Sequence, residues 1–298
     1  MDLATRATAP TTATVHRTGR LRTGGAELSW HANRTTTPVV FVHGSFDDHT
    51  SWDEVVPLLP PGVTAVRYDR RGHSGSSAPG RTVIHEHVGD LAAVITELSG
   101  GSAHVVGHSY GALVALMAAA RHPELVRSVL VHEPPAFPLL TGDPVGEAMR
   151  DAARSHVVTV AEYIEAGRAE EAVALFAEQV AFGEHWRELF TEPQRAMLAA
   201  NAPTFLEQFR DPDHYALDLA ALAAGPVPIT LTVGTDGPPA VRRITGILAE
   251  RLPAAAVRTI TGAGHAPHLS HPAEFAAALA GHLERVRLES VPVPGAGG

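Results

Sequence analysis

A chain of 298 residues with 45% apolar and 18% charged residues can bury one large core, alone or with an insertion. Its 23 basic against 32 acidic residues give a net charge of −9, which provides neither the basic footprint of a nucleic-acid binder nor the polybasic run that holds a protein on an anionic membrane. There is no cysteine and no lysine, so disulfides, thiolate zinc sites, cysteine nucleophiles, pyridoxal Schiff bases and P-loop lysines are excluded, leaving serine, histidine and the carboxylates as chemistry.

In chain order, residues 1–13 are rich in Ala and Thr and are expected to be disordered. They lack the apolar stretch of a secretory signal, and no run approaches the ~20 residues of a membrane span. The expectation is a soluble, cytoplasmic protein. Residues 14–20 and 27–32 read as an antiparallel hairpin at a sheet edge. Residues 38–42 form a fully apolar strand ending in His43-Gly44-Ser45. The strand at 63–68 leads into Asp69-Arg70-Arg71-Gly72-His73-Ser74-Gly75, and a helix is expected over 83–98. The strand at 103–106 runs into Gly107-His108-Ser109-Tyr110-Gly111 and an Ala-rich helix over 112–121. The strand at 126–131 runs into His132-Glu133-Pro134-Pro135.

The rhythm then breaks. Residues 134–225 contain no convincing strand but hold helical pieces at 158–164, 169–182 and 194–200, with many large apolar residues. They read as a helical cap over the carboxyl ends of the strands. The strand at 228–233 meets Gly234-Thr235-Asp236-Gly237, a helix follows at 240–251, and the strand at 257–260 ends in Thr261-Gly262-Ala263-Gly264-His265. Pro272 opens the last helix, to residue 286, at a position where its missing N–H costs nothing. Residues 292–298 read as a disordered tail. Short apolar strands alternating with helices predict an α/β fold with a mostly parallel, doubly wound sheet. Its core comprises residues 14–133 and 226–290, with the cap at 134–225.

Gly107-x-Ser109-x-Gly111 is weak as a pattern and strong in place. Between a strand and a helix it forms a nucleophile elbow, whose sharp turn needs glycines at Gly107 and Gly111 and presents Ser109 at the helix N-terminus. His43-Gly44-Ser45 can offer a backbone N–H to an oxyanion, so the expected donors are the amides of Ser45 and Tyr110. Among 18 histidines, His265 is selected by its place after the last strand, where it can accept the serine proton. His268, His271 and His282 are expected at the surface, and His108 as a packing residue beside the nucleophile. Arg70 and Arg71 are expected to brace loops through carboxylates, and Trp52 to lie in the core. His85-x-His87 lacks a third ligand at a usual spacing, so no metal is expected. No Gly-x-Gly-x-x-Gly follows a strand, so no nucleotide cofactor is expected either.

These motifs, in this order over residues 20–288, resemble the α/β-hydrolase superfamily. The resemblance implies an eight-stranded, mostly parallel sheet and a Ser-His-acid triad. The family usually supplies the acid after the seventh strand as Gly-x-x-Asp. Here Gly237 holds that place and Asp236 comes one residue early, a shift that can turn a side chain to the other face. Glu133, at the end of the strand beside the nucleophile's, is the favoured acid and Asp236 the alternative. The His-Glu-x-Pro setting is similar to that of zearalenone-type lactonases. The implied activity is hydrolysis of an ester or lactone of a largely apolar substrate, with a macrolactone such as zearalenone as one candidate. Phe46, Phe137, Leu140, Trp186 and Phe190 are the expected pocket residues. The expected partner is a small-molecule substrate, with no cofactor, and a homo-oligomer is left open. The alternatives are a non-hydrolytic enzyme such as a perhydrolase, a C–C bond hydrolase, or a small-molecule receptor with vestigial activity.

Overall fold

Strands covered on both faces must be apolar throughout, and such strands form the centre of this sheet. The computed structural model describes residues 15–34 and 36–289; the ends expected to be disordered, 1–13 and 292–298, lie outside the described residues. The fold opens with a hairpin of β1 (Val15–Thr23) and β2 (Ala26–Arg34). Then come β3 (Thr37–Val42), β4 (Val63–Tyr68), α1 (Ile84–Leu98), β5 (Ala103–His108), α2 (Tyr110–Arg121) and β6 (Val126–His132). The described residues between this strand and the next hold helices and no strand, with α3 (Pro144–Glu165), α4 (Ala169–Phe176), α5 (Trp186–Leu189), α6 (Glu192–Asn201), α7 (Pro203–Arg210) and α8 (Leu219–Ala224). It returns to the sheet with β7 (Ile229–Gly234), α9 (Pro239–Arg251) and β8 (Ala256–Ile260), and closes on α10 (Pro267–Ser270) and α11 (Pro272–Glu289).

The strand order is β1-β2-β4-β3-β5-β6-β7-β8. β1 and β2 join antiparallel, and β3 to β8 with β4 form the parallel body. Val40 and Val42 pack on α1 and α2 through Ile84, Leu91, Leu113 and Leu116. On the opposite face Val39, Phe41, Val106 and Leu130 meet Trp52 and the α11 residues Phe275 and Leu279. Trp52 therefore lies in the core, as expected.

His282 and His268 do not reach the surface. Phe275, Leu279, His282 and Val286 share the buried face of α11, and His282 bonds Ser128 Oγ at 2.7 Å and Thr230 Oγ1 at 2.8 Å beneath the sheet. His268 is buried between Trp52 and His108, at 4.9 and 4.4 Å between ring centroids. The helical spacing of that apolar face is a signal in the sequence that places His282 inside.

In the sheet β3 leads to its neighbour β4 on one side while β5 leads to its neighbour β6 on the other, which makes the ends of β3 and β5 a topological switch point, the crevice where α/β sheets bind ligands. Register then assembles the site. Val42 pairs with Gly107, His108 with His132 and His132 with Thr232. The residues just past these strand ends, Gly44 to Asp47, Ser109 and Glu133, meet at one edge.

Candidate active site

Ser109 sits between β5 and α2 with φ 53° and ψ −120°, a left-handed backbone that a non-glycine residue adopts at a cost. The turn is held by backbone bonds: Ser109 N–H donates to His132 O at 3.0 Å, and Ser109 O accepts from Ala112 N at 2.9 Å. It also forces α2 against β3. A Cβ on Gly111 would lie 2.3 Å from Val42 O, so only glycine fits there.

Glu133 follows β6, also with positive φ, at 44°. Its carboxylate is fully buried. Oε2 accepts a hydrogen bond from His265 Nδ1 at 2.7 Å, and Oε1 accepts one from Gly234 N–H at 3.0 Å. Burial works against the charge, but the hydrogen bond from His265 and the nearby His132 and His265 rings hold this carboxyl below its ordinary value. His132 Nε2 lies 3.6 Å from Oε2, and burial pushes that imidazole down to about 3. With Nδ1 of His265 donating to Glu133, the neutral ring keeps Nε2 as its acceptor. The His265 ring lies between Phe182 and His108, and its carbonyl accepts from His108 Nε2 at 2.7 Å.

The alternative acid stands elsewhere. Asp236 is exposed and accepts from its neighbour, Thr235 Oγ1, at 2.9 Å. The space that an acid at position 237 would use is taken: a Cβ on Gly237 would lie 2.3 Å from Glu133 Oε1. The structure thus brings Glu133, and not Asp236, to His265.

Ser45 and Tyr110 line one cavity together with Ser109 and His265. The Ser45 loop is closely held. Arg70, fully buried, donates to Gly44 O at 2.8 Å and His43 O at 3.1 Å. It braces the loop through carbonyls rather than the expected carboxylates. Arg71 follows the expectation, with a two-pronged bond to Asp90 at 2.7 Å and a salt bridge to Glu86 at 2.7 Å. Phe46 has φ 64°, and Asn201 of α6 anchors it by donating Nδ2–H to Phe46 O at 2.9 Å. His85 and His87 diverge: His85 faces Asp213 at 3.4 Å, and His87 packs edge-on to Tyr110.

Of the five expected pocket residues, Phe137 lines the cavity and four do not. Phe46 packs against Phe176 and Phe205, and Trp186 and Phe190 pack on each other within the helical insertion. Leu140 is buried in the main core. A large apolar residue in an inserted segment mostly serves the segment's own core, which is why residue size misidentified the lining. Val180 and Ala181 reach the cavity instead, from a wide turn at Ala177–Ala181 that interrupts the helix expected over 169–182. Gln208, also unanticipated, lies on α7 between Phe205 and Phe209; a polar residue on a helix's apolar face was the available signal.

The cavity beside Ser109 has a volume of about 70 Å³. It shares Phe137, Val157, Phe209, His214 and Tyr215 with an outer cavity of about 560 Å³.

Comparison with known proteins agrees with this architecture. Over 144 residues the chain is 31% identical to the uncharacterized hydrolase YraK of Bacillus subtilis, a match covering 46% of this chain and about half, 53%, of that relative. An esterase from Thermogutta terrifontis superposes with a TM-score of 0.72 at 22% identity, covering 91% of this chain and 99% of the esterase. The haloalkane dehalogenase DbeA from Bradyrhizobium elkani superposes equally well, with a TM-score of 0.71 at 22% identity over 93% of this chain and 100% of DbeA. An esterase and a dehalogenase fitting alike show a shared fold and no shared substrate. The sequence pattern of the alpha/beta hydrolase family matches residues 39–278, from β3 into α11, and the chain belongs to that family.

Proposed function

We propose that the chain is a serine hydrolase that cleaves a carboxylic ester or lactone of a largely apolar substrate through an acyl-enzyme. The observation that carries this reading is the 2.7 Å bond from His265 Nδ1 to buried Glu133, with His265 and Ser109 lining the same cavity. In this reading His265 Nε2 takes the Ser109 hydroxyl proton as Oγ attacks the substrate carbonyl. The amides of Ser45 and Tyr110 stabilise the oxyanion. The imidazolium, steadied by Glu133, gives its proton to the leaving alkoxide and then activates water to release the acid. The dehalogenase reaction needs a carboxylate nucleophile, and this chain has Ser109 in that place.

Residues 134–225 act as a cap that sets the substrate's shape. The inner cavity is well below the ~300 Å³ of a typical ligand pocket, so it suits a slender acyl chain reaching in from the outer cavity. A macrolactone such as zearalenone requires the cap to lift. No helix among the described residues is long and apolar enough to cross a membrane, and the reading assigns a small-molecule substrate.

The test is turnover of p-nitrophenyl esters, with a macrolactone panel alongside. Ser109→Ala and Glu133→Gln are each expected to lower kcat/KM by about a thousandfold or more. Asp236→Asn is expected to stay within about twofold of wild type, as suits an exposed group outside the catalytic hydrogen bonds. Loss of activity in Asp236→Asn with retention in Glu133→Gln would reverse the acid assignment. An inactive wild type on every ester and lactone would favour a receptor or a non-hydrolytic enzyme.

A further inference from the structure

Gln208 occupies the last turn of α7 and is only 5% exposed. It lines the inner cavity with Ser45, Ser109 and His265. Its Oε1 accepts a hydrogen bond from Ser45 Oγ at 2.6 Å. Its Nε2 is buried and has no hydrogen-bond partner among the described residues. A buried amide N–H without a partner is destabilising, and such groups in native proteins call for an explanation. Packing does not supply one, because a leucine fills nearly the same volume without the polar cost. The group stands at the cavity wall, one residue contact away from the loop that would bind the oxyanion.

We propose that Gln208 is a specificity-determining residue that donates its Nε2–H to a second oxygen of the substrate, close to the scissile carbonyl. The inference rests on the hydrolase reading above. Both polar atoms of the side chain share one amide carbon, and Oε1 is tied to Ser45. The reach of Nε2 is therefore confined to the neighbourhood of the reacting carbonyl. In the proposed mechanism the leaving alkoxide lies on the side of His265, which protonates it, and Gln208 is tied to the oxyanion side, so the acyl portion is what it meets. The substrate class is an ester or lactone whose acyl chain carries an ether, carbonyl or hydroxyl oxygen within a few atoms of the carboxyl carbon. By holding Ser45 with the same amide, Gln208 also links recognition of that oxygen to the loop whose backbone N–H serves the reaction.

The experiment uses matched ester pairs that differ by one CH₂-to-oxygen exchange. These are p-nitrophenyl pentanoate against 3-methoxypropanoate, and p-nitrophenyl butanoate against methoxyacetate, each rate being normalised to hydroxide hydrolysis. The wild type is expected to favour the oxygenated member of at least one pair by about tenfold or more in kcat/KM, since a site built to bond a substrate oxygen discriminates strongly against its absence. Gln208→Leu removes the amide, and Gln208→Glu keeps an acceptor for Ser45 but removes the donor. Both are expected to bring that ratio to about one, whatever they do to overall turnover. A wild type with no preference in either pair overturns the proposal, as does a Gln208→Glu variant that keeps the wild-type preference. If the wild type hydrolyses neither pair, or Ser109→Ala hydrolyses them as well as it does, the hydrolase reading itself has failed and this assignment goes with it.

Discussion

Glu133 and Gly237 act as a pair, because the carboxylate of one fills the space that the missing side chain of the other leaves. Gly237 has no left-handed backbone, so an aspartate can adopt its conformation. Alone, Gly237→Asp would press a second carboxylate onto a buried one at the 2.3 Å approach of its Cβ to Oε1. It is expected to lower stability by about 2–4 kcal/mol and to remove most ester turnover. In the background of Glu133→Ala the same aspartate gains that space, so the double variant should recover part of the activity that Glu133→Ala loses. Thermal unfolding and kcat/KM of the three variants check this, and a fully active Gly237→Asp would show that Glu133 does not hold His265 in the working enzyme. At this scale the sequence was legible where a residue's position follows from its place after a strand, as for Ser109 and His265, which line one cavity, and Glu133, which bonds His265. The preference for Glu133 over Asp236 rested on spacing alone, because a one-residue displacement leaves both within reach until burial is known. Among the five large apolar residues expected in the pocket, the lining was legible only at Phe137, since side-chain size carries no direction.

The strands were readable because a doubly covered strand must be an unbroken apolar run, and the elbow because its turn demands small residues. The helices of the insertion were less so: nothing in the composition of 169–182 marks the wide turn at Ala177–Ala181 that carries Val180 and Ala181 to the cavity. The contact between α2 and β3 is tight enough to test. An added methyl at Gly111 would lie 2.3 Å from Val42 O and 2.5 Å from His43 O, and backbone carbonyls in a central strand cannot turn aside. Gly111→Ala is expected to cost about 3 kcal/mol or more and to lower kcat, since the shift of α2 moves Ser109 with it. Gly246, on the exposed side of α9 with no atom within 4 Å of a Cβ, is the control. Gly246→Ala should be stabilising by up to ~1 kcal/mol with turnover unchanged. Urea unfolding followed by tryptophan fluorescence separates the two, and equal stability of both variants would contradict the crowding at the elbow.

Across the whole molecule the most consequential feature is how many imidazoles are buried. His43, His73, His87, His108, His132, His268 and His282 are all inside, and for each burial is the first cause that lowers its pKa, to about 3 for His132, His268 and His282. The sequence displays 18 histidines but not their burial, which depends on which helix face and strand end each one reaches. A base whose folded pKa lies below its unfolded value of 6.5 binds its proton more readily in the unfolded chain. Its contribution to stability is complete above pH ~6.5 and is lost as pH falls from there toward the folded value. Each such histidine contributes a slope of about 1.4 kcal/mol per pH unit in that window. Several acting together exhaust a net stability of roughly 5–15 kcal/mol within about two units. The protein should therefore unfold cooperatively in acid with a midpoint near pH ~5, before most carboxylates titrate. Replacing His282 by Asn, which keeps a polar partner for Ser128 or Thr230 and removes one titrating base, should make the transition shallower while lowering stability at pH 8. Circular dichroism from pH 8 to pH 4 measures both, and a wild-type native signal that persists unchanged at pH 4 would mean that these imidazoles accept protons without leaving the core.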